Sequence, residues 1–253
     1  MILLLRILPF VAAILQAGCF SFQKQHPQTY PYVALAGVLC VPVAAVLLSA
    51  KRIKLGDLSE KMSPTFLLHL ALAFGLALTE GWLSVDVIIV LGAISTFISL
   101  ELLFLHIYQP SVYPMNGLSR LNIAYVPIAV WYTAATSAGF MVFIHSAWYW
   151  HVGMLALLGA TLFRTTGHPG ATQNQQSIWT VVGFVTGAEI GWIGLLLPVS
   201  MGMQGLVAAI LFTGMLRVRR YLYDPKPSTR MAWGEAIGIC ALFVIGIVSA
   251  KWL

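Results

Sequence analysis

The sequence predicts an all-α polytopic membrane protein, a helical bundle of about nine transmembrane helices. Of its 253 residues 59% are hydrophobic and only 9% are charged, and the mean hydropathy is +0.87. Apolar runs of about 20 residues, the length that crosses a bilayer as a helix, recur along the whole chain. This composition excludes a water-soluble globular domain. We therefore expect a single transmembrane domain, residues 1–253.

Each predicted span is an apolar run bounded by charged residues or proline. In chain order the runs are residues 2–20, 31–50, 65–84, 85–108, 124–146, 148–163, 178–198, 199–216 and 231–253. The sixth and eighth are the shortest, so eight spans with a re-entrant segment is the alternative. The first run ends near a cysteine, as lipoprotein signals do, but Gln16 stands where such signals need an apolar residue. It is therefore interpreted as a retained span.

The positions of the basic residues predict the orientation. Most of them lie near the amino terminus or in the loops 51–64, 109–123, 164–177 and 217–230. By the positive-inside rule the amino terminus and these loops are cytoplasmic. The strongest basic patch is expected to contact anionic lipid headgroups or a cytoplasmic partner. It comprises Arg217, Arg219, Arg220, Lys226 and Arg230.

Spans three to eight predict three helical hairpins, residues 65–108, 124–163 and 178–216. Their similar length, about 40 residues each, indicates either an internal duplication or simply the constant thickness of the bilayer. The three cysteines, Cys19, Cys40 and Cys240, lie far apart in sequence and are interpreted as small core residues rather than a disulfide framework.

Acidic residues are concentrated in the spans. Five of the eight lie in or at the ends of apolar runs, namely Glu80, Asp86, Glu101, Glu189 and Glu235. A carboxylate at hydrocarbon depth costs about 2.5–3.5 kcal/mol on insertion scales, so such residues normally face the bundle interior. No lysine or arginine lies mid-span to neutralise them.

Glu189 is the deepest of these acids and lies in the seventh span beside the glycine series Gly183, Gly187 and Gly191. Glycines at this spacing form a smooth face for close helix packing. At 100° per residue Glu189 points away from that face. We expect a central seventh helix that packs tightly on one side and presents Glu189 to a second helix on the other.

Three further residues, His69, Glu80 and Glu101, accompany Glu189 as candidate proton- or cation-binding groups. His69 is expected to lie opposite Ser99 to Glu101, in the cytoplasmic half, if the hairpin turns near Ser84. Glu80 would be the outer station. The alternative interpretation is that these groups form interhelical hydrogen bonds that only fix helix register.

A weaker candidate is a metal site at the outer turns, formed by Glu80, Asp86, His145 and His151. Carboxylate and imidazole side chains are common ligands of metal ions. No pair has the i, i+4 spacing of a helical metal motif, however, and neighbouring tryptophans are typical of the membrane interface. The default prediction is no metal and no cofactor.

The carboxyl-terminal quarter contains, in order, Glu189, Trp192, Pro198, the basic loop 217–230, Glu235 and the terminal Ala250-Lys251-Trp252. In this order it resembles an uncharacterised multi-span family of candidate-phylum bacteria. It implies a bacterial inner-membrane protein. The family has no assigned activity, so the resemblance implies no catalytic residue.

Two functions are compatible with these observations. The first is proton- or cation-linked transport or conduction of a small solute, with Glu189, Glu80, Glu101 and His69 as binding groups. The second is a non-catalytic scaffold, assembly factor or subunit of a larger membrane complex. An enzyme is disfavoured because the motifs of nucleotide-binding, serine-hydrolase and zinc-protease sites do not occur. The expected partners are the bilayer and other membrane proteins, not nucleic acid.

Overall fold

The computed structural model describes residues 2–50, 52–78, 82–113, 117–166 and 172–223, with single positions between 233 and 244. Within this part the chain forms eight α-helices and one short 3-10 turn, without a β-strand. The helices are α1 (Ile2–Gln25), α2 (Tyr32–Ser49), α3 (Leu55–Leu78), α4 (Trp82–Tyr108), α5 (Gly117–Ile144), α6 (Trp148–Thr165), α7 (Gln173–Leu196) and α8 (Met201–Tyr223).

Seven of these helices are long and apolar enough to cross a membrane, as expected of a multi-pass membrane protein. The all-α prediction is confirmed. The helix that falls short is α6, which has 18 residues and begins with Trp148-Tyr149-Trp150-His151. The count of nine spans is not confirmed, since most of the ninth predicted span, residues 231–253, lies outside the described residues.

Two helices begin well before the predicted spans. The α3 helix begins at Leu55 and α5 at Gly117, so segments expected to be loops are largely helical. Polar residues such as Glu60 and Lys61 are good helix formers, and hydropathy alone does not detect an amphipathic extension. At the start of α7, Thr172 and Gln175 form a reciprocal capping box, which satisfies backbone N–H groups left free at a helix start.

The chain divides into two compact units, Met1–Tyr125 and Val126–Leu253. In the first unit α1 packs on α2 and α4, and α3 packs on α2 and α4. The ring of Phe20 on α1 is fully buried. A Cβ atom built on Gly37 of α2 would lie 2.9 Å from this ring, and one built on Gly92 of α4 would lie 3.2 Å from it. The two glycines therefore make room for Phe20 between three helices.

In the second unit the closest packing joins α6 to α7. A Cβ atom built on Gly183 would overlap the carbonyl oxygen of Gly159, and one built on Gly187 would overlap that of Leu155. The backbones touch because no side chain separates them. This confirms the predicted glycine face of the seventh span. Also within the second unit, the Trp131 indole of α5 donates to the Gly202 carbonyl oxygen at 3.0 Å.

Candidate functional site

Among the described residues of the first unit, His69 is the most deeply buried ionisable side chain, with none of its surface exposed. It lies on the inward face of α3, which also carries Leu58, Met62, Thr65 and Leu72. These positions follow the three- and four-residue steps that keep side chains on one side of a helix. The imidazole is therefore held inside the unit by the apolar neighbours on its own helix.

Both ring nitrogens of His69 have hydrogen-bond partners. Nδ1 lies 2.6 Å from the carbonyl oxygen of Thr65, one turn earlier. Because a carbonyl oxygen only accepts, Nδ1 carries a hydrogen and donates it. Nε2 faces α4, where it lies 2.8 Å from Thr96 Oγ1, 3.1 Å from Ser95 Oγ and 3.2 Å from the Gly92 carbonyl oxygen.

The directions of the hydroxyl hydrogens determine the charge that this pocket can hold. Ser95 donates to the Gly92 carbonyl oxygen at 3.0 Å, and Thr96 donates to Gln16 Oε1. When both hydroxyl hydrogens point this way, Nε2 faces only hydrogen-bond acceptors. A second proton placed on Nε2 then has an acceptor, and the ring is positively charged. If the Thr96 hydroxyl rotates to donate to Nε2, the ring is neutral. The same heavy-atom geometry thus serves both protonation states.

Gln16 extends this arrangement to α1. Its side chain is fully buried, and its Nε2 atom has no hydrogen-bond partner among the described residues. A buried amide donor without a partner costs about 1–3 kcal/mol. From sequence alone, Gln16 indicates only that the first span is not a signal peptide. An amide in the middle of an apolar span was the signal that could have identified it.

A second branch runs from Thr65 toward α5. The Thr65 hydroxyl lies 3.3 Å from both Ser99 Oγ and Asn122 Oδ1. Ser99 donates to the Tyr125 hydroxyl at 3.4 Å, and Tyr125 donates to the Ser95 carbonyl oxygen at 3.3 Å. We call the whole set the His69 cluster. Its members are Gln16, Thr65, His69, Ser95, Thr96, Ser99, Asn122 and Tyr125, all buried.

The predicted position of His69 opposite Ser99 to Glu101 is wrong. The ring contacts Gly92, Ser95 and Thr96, between one and three turns earlier on α4, and Glu101 is half-buried. The reason is the position of the hairpin turn. The prediction centred it near Ser84, whereas α3 ends at Leu78 and α4 begins at Trp82. Counting outward from about residue 80 places His69 opposite Gly92.

The expectation that Glu189 faces a second helix is also wrong. Its side chain is exposed on the outer face of α7. Thr186, three residues earlier, is buried, while Trp192, three residues later, is 50% exposed. The rotation of α7 follows from its glycine contact with α6, which fixes the buried face and turns Glu189 away from it.

The basic patch is only partly on the surface. Arg220 is exposed and Arg217 is half-buried, but Arg219 is 3% exposed. Its guanidinium donates to the carbonyl oxygen of Phe163 near the end of α6 and lies 5.0 Å from the centroid of the Trp179 ring. Arg219 therefore supports helix packing instead of facing headgroups. Lys226 and Arg230 lie outside the described residues.

The residues of the predicted metal site have other surroundings. Asp86 accepts a hydrogen bond from Lys24 at 2.7 Å and forms an ion pair with it. His145 is exposed, and Glu80 lies outside the described residues. Within the described ranges, no group of three or more His, Cys, Asp or Glu side chains is arranged to hold a metal ion.

His151 forms a separate polar contact in the second unit. It is 1% exposed, and its Nδ1 lies 2.8 Å from Ser137 Oγ. The two line a cavity of about 230 Å³ whose remaining walls are mainly apolar. Its Nε2 has no hydrogen-bond partner in the described part of the chain. Because no third group orients the ring from that side, the pair lacks the arrangement of a serine nucleophile and its base.

Comparison with known proteins returned no matching family model, no matching curated protein and no matching solved structure. The resemblance to a family of candidate-phylum bacteria therefore stays a prediction, as does the bacterial origin that it implies.

Proposed function

We propose that this protein conducts protons across a membrane, alone or linked to a small solute, and that His69 is the proton-binding group. The single observation that carries the proposal is the pairing of both ring nitrogens of a fully buried imidazole. Ionisable groups inside transmembrane bundles are commonly parts of proton relays. In this proposal His69 takes the role first assigned to Glu189.

The chemistry of the cluster supports a relay. When the ring accepts a proton at Nε2, the Thr96 hydroxyl turns toward Gln16, and when the ring releases it the hydroxyl turns back. Ser99 and Tyr125 form a further chain of hydrogen bonds beside the ring, which ends at the Ser95 carbonyl oxygen and holds α4 and α5 in place. The change between the two protonation states of His69 needs rotation of the Thr96 hydroxyl and no movement of a helix.

The test is proton flux into liposomes that contain the purified protein, driven by a potassium diffusion potential and followed with an internal pH dye. His69→Gln keeps a polar side chain of similar size but has no titratable group near neutral pH. We expect the proton flux of this variant to be at least about tenfold lower than that of wild type, because a group that transfers protons contributes about 10²–10⁴ in rate.

His145→Gln is the matched control, since His145 is exposed and outside the His69 cluster. It should keep the wild-type flux. Equal flux in His69→Gln and wild type, or wild-type flux no greater than that of protein-free liposomes, would reject the proposal. Size-exclusion profiles of the three proteins establish that all are folded.

A scaffold or subunit of a larger membrane complex is the second candidate. The observation that favours it is the exposed carboxyl of Glu189 on an apolar helix face, a position that a neighbouring protein would cover. Unchanged proton permeability in every variant, together with a stable association in the membrane, would favour this function over transport.

We further propose that the amino terminus faces the cytoplasm of a bacterial inner membrane. The support is the distribution of basic residues along the sequence, to which the exposed Arg220 contributes at the anionic surface. A reporter fused after residue 216 should be active in the cytoplasm, and one fused after residue 146 should be active on the outer side of the membrane. The reverse pattern, or activity of both on one side, would contradict this orientation.

A further inference from the structure

We propose that Gln16 is the positioning residue that allows His69 to hold a second ring proton, because its Oε1 atom accepts the hydroxyl hydrogen that Thr96 turns away from the charged ring. The three side chains form one line of hydrogen bonds from α1 through α4 to α3. The inference deepens the proposed function and rests on it for the effect on proton flux. The effect of Gln16 on the proton affinity of His69 can be measured without flux.

Gln16 lies in the apolar part of α1, is fully buried and reaches α4. A Cβ atom built on Gly92 of α4 would lie 3.5 Å from Gln16 Nε2. The same Cβ atom would lie 3.2 Å from the ring of Phe20, one turn after Gln16 on α1. The absence of a side chain at Gly92 therefore leaves room for the amide to reach Thr96.

The Thr96 hydroxyl has two partners among the described residues, His69 Nε2 and Gln16 Oε1. It carries one hydrogen, so it donates to only one of them at a time. When His69 Nε2 carries a proton, that nitrogen no longer accepts, and of the two partners only Gln16 Oε1 remains for the hydroxyl hydrogen. A buried hydroxyl hydrogen without an acceptor is unfavourable. Gln16 should therefore strengthen proton binding by His69.

The orientation of the Gln16 amide matters as much as its presence. Its Nε2 atom has no hydrogen-bond partner in the described part of the chain, so burial of this donor is unfavourable for stability. With the amide turned over, Nε2 would donate to Thr96, whose hydrogen would then point to His69 Nε2 and keep the ring neutral. The amide is thus unfavourable for packing and favourable for the charged ring, a combination expected of a functional residue.

The contacts of the His69 ring with described residues are all with neutral groups of α3 and α4. Tyr125 on α5 is the other titratable side chain of the His69 cluster, and its hydroxyl donates to the Ser95 carbonyl oxygen. The α2 helix carries no charged residue. Charged residues of α1 and α4 that form no contact with the ring are Arg6, Lys24, Asp86 and Glu101. Gln16 is therefore expected to act on the ring through Thr96 alone.

The test measures protonation of His69 in the full-length protein in liposomes, by nuclear magnetic resonance of isotope-labelled histidine over a series of pH values. His69→Gln identifies the signal of the ring. Gln16→Met is similar in length but has no acceptor oxygen, and we expect its ring to bind the second proton about tenfold more weakly. The midpoint of the titration should then lie about one pH unit lower. Gln16→Leu should shift it in the same direction and replaces the methionine variant if that variant does not fold.

Gln23→Met is the matched control on the same helix. Gln23 is also buried, and its amide donates to the Pro27 carbonyl oxygen at 3.2 Å, outside the His69 cluster. This variant should keep the wild-type midpoint to within about 0.3 pH unit, a factor of about two in affinity. Thr96→Val removes the hydroxyl that joins Gln16 to His69. On that background Gln16→Met should also change the midpoint by less than about 0.3 pH unit.

Proton flux into the same liposomes distinguishes this inference from the proposed function. Its half-maximal pH should fall in Gln16→Met by the same amount as the titration midpoint. A midpoint that moves as expected in a protein without proton flux would reject conduction and keep the role of Gln16. Flux that requires His69, with a midpoint that Gln16→Met does not move, would keep conduction and reject the role of Gln16.

Two further results would overturn the inference. One is an equal change of midpoint in Gln23→Met, and the other is a change by Gln16→Met that persists in the presence of Thr96→Val. A wild-type His69 ring that takes up no second proton down to about pH 4.5, roughly two pH units below the ordinary histidine value, would overturn both this inference and the proposed function.

Discussion

Nδ1 of His69 lies 2.6 Å from the carbonyl oxygen of Thr65, and this bond fixes the ring so that Nε2 faces Thr96 at 2.8 Å. One residue of α3 thereby orients an imidazole toward a neighbouring helix. These hydrogen bonds therefore stabilise the packing of α3 on α4. Their loss should lower the stability of the protein, whether or not the protein conducts protons.

His69→Ala should lower the free energy of unfolding by about 2–4 kcal/mol, because it leaves a cavity and removes a partner of buried hydroxyl groups. His145→Ala should change it by less than about 0.5 kcal/mol, the usual range for an exposed site. Unfolding in mixed micelles with increasing denaturing detergent is the measurement. Equal effects at the two positions would contradict the buried placement of His69.

Gly183→Ala should destabilise the protein by about 1–3 kcal/mol, the usual cost of overpacking. The added methyl group meets the backbone of Gly159, which cannot move aside like a flexible side chain. Gly153→Ala is the control on α6, where a Cβ atom has nothing within 4 Å. That variant should be neutral or more stable by up to about 1 kcal/mol. Similar melting temperatures for both variants would argue against the α6–α7 contact.

Arg219→Met should cost about 1.5–3 kcal/mol, the range for a hydrogen bond that involves a charged group. The substitution removes both the bond to the Phe163 carbonyl and the contact with Trp179. Arg220→Met removes the same charge one residue later from an exposed position and should be nearly silent. Both variants lose one positive charge, so a difference in their free energies of unfolding reports the packing of Arg219. A larger loss of stability for Arg220→Met than for Arg219→Met would contradict the burial of Arg219.

Cys19 on α1 and Cys40 on α2 should form a disulfide under mild oxidation with copper phenanthroline. The two thiols are neighbours where α1 packs on α2, although the sequence separates them by a turn between helices. Mass spectrometry of the digested protein should identify the linked peptides. Cys19→Ser should abolish the product, while Cys240→Ser should leave it unchanged. A disulfide that persists in Cys19→Ser would show that the two thiols are not the reacting pair.

Some features of the second unit followed from local sequence. The spacing of Gly183, Gly187 and Gly191 predicted a face that packs closely on a neighbour, and α7 packs on α6 through it. Small residues at four-residue steps allow close approach whichever helix lies opposite. The glycine pattern did not determine what the opposite face of α7 contacts, because that depends on which other helices pack against α6 and α7.

Taken alone, the sequence was sufficient to determine the helical class and the approximate position of most apolar helices. Both follow from the length and composition of local segments, because a bilayer requires about 20 apolar residues with internally paired backbone groups. The tertiary structure alone decided that His69 lies opposite Gly92, that Arg219 is buried and that Glu189 is exposed. These outcomes depend on helix rotation and register. In membrane helices the core side and the lipid side are both apolar, so hydrophobic periodicity carries little information about either.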